Sequence, residues 1–171
     1  MKMLTRDHIR ALSAQAAASV RRRQNLNLHT ELSDPVQRLC NALEPGTYVR
    51  AHRHAQAHRW ELFIALSGSA TVLTFEDDGT VRERLALSAA GPVIGVEIPA
   101  GTWHTLAAEA AGTVLFEVKP GPYEPLADKD YARWAPAEGD PRCAAFERWY
   151  REARPGDRPP PLSALAALGR Q

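Results

Sequence analysis

The hydrophobic pattern along the chain starts helical, turns strand-like for about ninety residues, and becomes helical again near the end. Ile9, Leu12, Ala16 and Val20 recur at helical spacing behind Thr5, which can cap the first turn, so a helix is predicted over 5–19. Polar and apolar residues alternate over Asn25–His29, and Asp34-Pro35 breaks the chain. Val36–Glu44 then alternates with neither face fully apolar, as expected of a barrel strand that borders a polar interior. Pro45-Gly46 turns the chain into a strand that ends at His52-Arg53-His54, and Trp60–Leu66 is a short apolar run. Ala70–Phe75 and Val81–Leu87 flank Glu76-Asp77-Asp78-Gly79-Thr80, whose Asp-Gly pair marks a hairpin. Gly95–Ile98, His104–Ala108 and Thr113–Lys119 follow. About eight short strands with Gly/Pro punctuation predict an all-β sandwich or jelly roll.

Beyond Pro120 the stretches 121–125 and 134–136 read as extended wrapping segments. Arg142–Arg154 places Ala145, Phe146, Trp149 and Tyr150 on one helical face. Residues 154–161 are proline-rich and irregular, and Leu162–Leu168 predicts one or two helical turns. No internal repeat is visible.

A chain of 171 residues is most simply one domain with a real core. Its 21 Lys plus Arg against 20 Asp plus Glu give no global basic face, which argues against a nucleic-acid or membrane partner. Arg21-Arg22-Arg23 reads either as an anion-binding run or, more simply, as a solvated helix end. Cys40 and Cys143 make no disulfide framework, and Cys40 reads as a small buried hydrophobe. Without an 18-residue apolar stretch or a signal-peptide core, a cytoplasmic location is expected.

Chemistry concentrates in four residues. His52 and His54 are one residue apart, so in a strand they project from one face about 7 Å apart. Glu61 heads the apolar Trp60–Leu66 run, where a carboxylate is costly to bury unless paired or bound to a metal. His104 follows the Pro99-Ala-Gly-Thr turn. Three imidazoles and a carboxylate suit one divalent transition metal (Fe, Mn, Ni, Cu or Zn), with positions left open for water or substrate. Glu61 reads alternatively as a hydrogen-bond partner that fixes a histidine tautomer. His58 reads as a solvated loop residue or as a substitute ligand. By parity Tyr48 and Arg50 share the histidine face, while Arg38 and Asn41 lie on opposite faces of the preceding strand. Tyr48 and Arg38 are the candidate substrate-binding residues, a phenol for a ligand oxygen and a guanidinium for an anionic group. Trp103, Glu97, Glu117 and Lys119 are further pocket candidates. All of these also read as ordinary surface groups paired across strands.

These residues resemble the two motifs of the cupin superfamily, G-x5-H-x-H-x(3,4)-E-x6-G and G-x5-P-x-G-x2-H-x3-N. The His54-to-Glu61 spacing is longer than the pattern, position 93 is Val where it has Gly, and Ala108 stands where it has Asn. The runs 34–50, Trp60–Phe63, Val96–Thr105 and Phe116–Tyr123 are similar to WbuC-type cupin-fold metalloproteins. The resemblance covers roughly residues 20 to 138 and implies a double-stranded β-helix barrel, a bound metal, a homodimer and an association with surface-polysaccharide biosynthesis. The resulting expectation is an N-terminal helix and strand arm (1–30), a cupin barrel (31–120) and a C-terminal wrapping segment and helix (121–171). Two functional classes follow. One is a metal-dependent isomerase, epimerase, lyase or dioxygenase acting on a sugar or small acid. The other is a metal-dependent module that binds a small-molecule ligand, or regulates, without turnover.

Overall fold

The structure, a computed structural model, describes residues 1–165. The predicted helical turns over Leu162–Leu168 fall partly outside that range, and within it Leu162–Leu165 is helical. A helix, α1 (Arg6–Ala18), precedes eight strands. They are β1 (Arg23–Asn27), β2 (Val36–Leu43), β3 (Glu61–Ser67), β4 (Ser69–Phe75), β5 (Val81–Ser88), β6 (Gly95–Ile98), β7 (Trp103–Ala108) and β8 (Thr113–Pro120). A second helix, α2 (Cys143–Glu152), follows. The strands form two antiparallel sheets, ordered β1-β2-β8-β3-β6 and β5-β4-β7. This is the all-β, two-sheet barrel with helices at both ends that the cupin motifs predict.

Strand alternation decides which face each helix covers. Along β2, Leu39, Asn41 and Leu43 point into the barrel, whereas Cys40 and Ala42 pack with Val114 against Leu12 and Ala16 of α1. The apolar stripe of α1 therefore has a partner, and Thr5 caps it by accepting from the His8 N–H. On β4, Ala70 and Val72 face inward, while Leu73 and Phe75 face outward beneath Phe146 and Tyr150 of α2. With both faces covered, β4 is buried almost throughout. Arg84 of β5 holds the end of α2 by donating to the Tyr150, Arg151 and Ala153 carbonyls, which the helix itself leaves unpaired.

Two glycines set the turns that matter for the site. Gly68 (φ +66°) turns the chain from one sheet to the other, and a Cβ there would meet Thr113 at 2.4 Å. Gly101 (φ +79°) closes the turn before β7 and donates its N–H to the His54 carbonyl at 2.8 Å.

One predicted strand is absent as a regular element. Residues 47–54 make only an isolated bridge, His52 to His104, with a second bridge from His52 to Tyr131 on the other side. The histidine segment lies between β7 and the stretch around 130–132, tied by Arg53 N–H to the Asp130 carbonyl and Ala132 N–H to the Ala51 carbonyl, both 2.9 Å. Its second neighbour thus comes from the C-terminal wrapping segment.

Candidate metal centre

Backbone pairing puts the first two ligands together. His52 N–H donates to the His104 carbonyl at 3.1 Å and His104 N–H returns to His52 at 2.9 Å, so the two rings sit 4.5 Å apart. The Gly101-to-His54 hydrogen bond anchors the third. Glu61 enters at the start of β3, paired with Ile98 of β6 just before the turn that leads to His104. His52, His54, Glu61 and His104 each offer one ligand atom, and these atoms all lie within 4.8 Å of one another. The structure therefore brings together all four residues that the sequence nominates.

The hydrogen bonds around the rings prepare them as ligands. Nδ1 of His52 lies 2.9 Å from the Arg50 carbonyl and Nδ1 of His104 lies 2.9 Å from the Thr102 carbonyl. A carbonyl can only accept, so both Nδ1 atoms carry hydrogen and the neutral rings present a bare Nε2. Burial, with His104 beside it, lowers the His52 pKa to about 3, so this ring is neutral across the physiological range.

Glu61, almost wholly buried, sits with Oε1 3.0 Å from His54 Nε2 and Oε2 2.9 Å from His104 Nε2. Burial alone would raise its carboxyl. The contacts with His104 and His54 and the charge of Lys119 outweigh that and hold it well below the usual carboxylate range. For His104, burial opposes the charged form but the Glu61 carboxylate prevails and raises its pKa. Despite these short separations, His54 Nε2, Glu61 Oε2 and His104 Nε2 are buried without a well-directed hydrogen bond among the described residues. Buried polar atoms are seldom left so. A divalent cation held by His52, His54, Glu61 and His104 would satisfy all three at once. The donor set fits a transition metal.

Behind Glu61 stands a charged pair that sequence parity alone ranked low. On β8, Leu115, Glu117 and Lys119 share the inward face. Lys119 Nζ reaches Glu61 Oε1 at 2.9 Å and Glu117 Oε1 at 2.5 Å, and Asn41 of β2 donates to Glu117 Oε2. Burial would lower the Lys119 pKa, but the two carboxylates raise it. Burial is also the main cause of the raised Glu117 carboxyl.

Two cavities of about 140 Å³ meet the cluster. The inner one lies between His52, Glu61, His104, Phe63, Glu117 and Lys119. The outer one opens past His52, His54, Arg59, Lys119, Tyr123 and Tyr131. A larger cavity of about 530 Å³, between β5 and β6, touches none of the four ligands.

Tyr48 and Arg38 sit elsewhere than the sequence suggests. Tyr48 donates its hydroxyl to the Pro136 carbonyl at 2.8 Å, stacks on Tyr150 at 5.8 Å and is buried in the core beneath α2. Burial raises its pKa. Residues 47–51 do not alternate regularly, which takes Tyr48 off the histidine face. Val49 and His52, three apart, line one cavity, while Tyr48 and Ala51, also three apart, sit in the outer core. Arg50, expected on the histidine face, instead donates to the Ala132 and Ala135 carbonyls. Arg38 lies on the outward face of β2 with Cys40, exposed and paired with Asp34 at 3.5 Å. Asn41 is the inward member of that strand.

His58 is exposed in the loop between His54 and Glu61. Its neighbour Arg59, which the sequence did not single out, is buried, donates to the Pro120 and Pro122 carbonyls and pairs with Glu124 at 3.1 Å. Trp103 turns outward, with Arg53 4.3 Å over its ring and Asp77 on its N–H. Glu97 is exposed beside the separate large cavity.

A family model described as a domain of unknown function, DUF6016, matches residues 4–87. No curated protein matches the chain. Among solved structures, KdgF from a Halomonas species aligns at 16% identity over 60% of this chain and 82% of its own, with a TM-score of 0.47. A conserved protein of unknown function, SPY1581 of Streptococcus pyogenes, aligns at 16% identity over 72% and 90%, with a TM-score of 0.48. Oxalate decarboxylase of Bacillus subtilis, a protein with Mn(II) centres, aligns at 16% identity over 64% of this chain and 27% of its own, at 0.46.

Proposed function

We propose that this protein is a metal-binding cupin in which His52, His54, Glu61 and His104 hold one divalent transition metal and a small polar metabolite, a sugar or an acid, docks beside it. The observation that carries this reading is the cluster itself: four ligand atoms within 4.8 Å, with two imidazoles locked by carbonyls in the metal-binding tautomer. A bound divalent ion would polarise a carbonyl or hydroxyl oxygen of the metabolite. The chain's own groups do the rest. Lys119, which lines the cavity, orients Glu61, and the buried Glu117 carboxyl is the group that exchanges a proton with the ligand. Both neighbouring cavities accommodate only a small molecule. Isomerisation, epimerisation and oxygenation all fit this arrangement, and the WbuC-like runs support a place in surface-polysaccharide biosynthesis. In this reading the molecule works as a cytoplasmic homodimer.

Cobalt(II) added to chelator-treated protein tests the proposal. One equivalent should give visible ligand-field bands that shift when a small hydroxy acid is added, and Glu61→Gln should weaken cobalt binding at least about tenfold. Saturation without bands, or bands unchanged in Glu61→Gln, would refute it.

A further inference from the structure

A third cavity, of about 380 Å³, opens beside the two at the metal cluster and shares Lys119 with both. Its wall is made by β1 and β2: Asn25, Asn27, His29, Gln37 and Asn41, with Lys119 at the inner end. Leu32, Leu39 and Tyr123 supply the apolar part of the lining and Glu117 an acidic one. The amides and the imidazole offer donors and acceptors that suit hydroxyl groups, which both donate and accept.

His29 is the decisive residue. It is 6% exposed, and its Nε2 is buried without a hydrogen-bond partner among the described residues. Its Nδ1 lies 3.1 Å from both the Arg38 N–H and the Arg38 carbonyl. Whichever of the two Nδ1 pairs with, Nε2 remains a buried polar atom with no protein partner, and a hydroxyl, which both donates and accepts, satisfies it in either tautomer.

The acceptors are equally defined. Gln37 spends its amide hydrogens on the Leu32 and Asp34 carbonyls, and Asn41 donates to Glu117, so each has its side-chain oxygen left to offer. Charge sets the other end of the ligand. Lys119, the cation that all three cavities share, and a divalent ion held by the cluster would together favour an anionic group there.

We infer that the chamber walled by β1 and β2 is a ligand subsite for a polyhydroxylated monocarboxylate, whose carboxylate lies at Lys119 and the metal cluster and whose hydroxyl tail is held by His29 Nε2, Gln37 and Asn41. The inference rests on the metal-site reading for the charge and on the chamber itself for the hydroxyls.

Calorimetry with gluconate, acetate and sorbitol separates the two. Metal-loaded protein should bind gluconate more tightly than acetate or sorbitol by at least about tenfold, the worth of one or two hydrogen bonds. His29→Asn keeps a polar group at the δ position for Arg38 but removes Nε2. It should lower gluconate affinity about fivefold and leave acetate affinity and metal content unchanged. Asn25→Ala, at an exposed position of β1, should also lower gluconate selectivity. Equal binding of gluconate and acetate by the wild type, or an unchanged ratio in both variants, would overturn the chamber. If instead the metal reading fails, chelator-treated protein should still prefer gluconate to acetate, and His29→Asn should still reduce that preference about fivefold.

Discussion

Replacing Lys119 by Met removes the ammonium while keeping the length of the side chain. In the metal-free protein this strands two carboxylates, Glu61 and Glu117, whose side chains are 4% and 7% exposed. Removing one partner of a buried charge pair costs about 3–5 kcal/mol, because the other charge is left uncompensated. Glu61 retains His54 and His104, and Glu117, whose pKa burial already raises, can take up a proton, so the lower end applies. About 3 kcal/mol corresponds to a fall in thermal midpoint of about 6–12 °C for a domain of this size. Thermal unfolding in chelator at pH 7.5 should show that loss. Adding Glu117→Gln to Lys119→Met should restore at least about half of it, since the amide needs no countercharge. Saturating metal should also shrink the deficit, because a cation then pairs with Glu61. A metal-free Lys119→Met within about 1 kcal/mol of wild type, or strict additivity with Glu117→Gln, would refute the view that Lys119 neutralises this interior.

Three further outcomes are expected. His52 has a folded pKa of about 3 and an ordinary unfolded one of about 6.5, so the unfolded chain binds its proton first; metal-free protein should lose stability as pH falls from about 6.5, and His52→Phe should flatten that slope in chemical denaturation. Tyr48→Phe should leave metal content unchanged and lower stability by about 1 kcal/mol, the worth of its buried bond to the Pro136 carbonyl. Burial pushes the Cys40 thiol up to about 11, so a thiol reagent at pH 8 should label partly exposed Cys143 before Cys40 in the native protein, and both alike in denaturant.

The strand periods, the Asp-Gly hairpin and both helix faces were legible because each follows from local alternation and burial. The ligand quartet was legible because metal binding demands particular residue types at spacings that strands and turns can deliver. What sequence could not supply lies where the backbone departs from its period. Residues 47–51 slip parity, so Tyr48 turns into the core under α2 instead of into the barrel. Arg38 fell on the outward face because the inward set of β2 is Gln37, Leu39 and Asn41, a choice fixed only once α1 covers Cys40 and Ala42. Glu117 and Lys119 carried a signal, since they continue the parity of Leu115, but their convergence on Glu61 depends on the register of β8 against β3. Arg59 and His29 are held by backbone carbonyls and amides distant in sequence, which no local pattern displays.

Elemental analysis of the tag-free protein tests most directly whether His52, His54, Glu61 and His104 hold a metal. Wild type should carry about one divalent transition metal ion per chain, and His52→Ala and His104→Ala should each retain less than about a tenth of that. Full occupancy in both variants would mean that the ion is not held by these side chains.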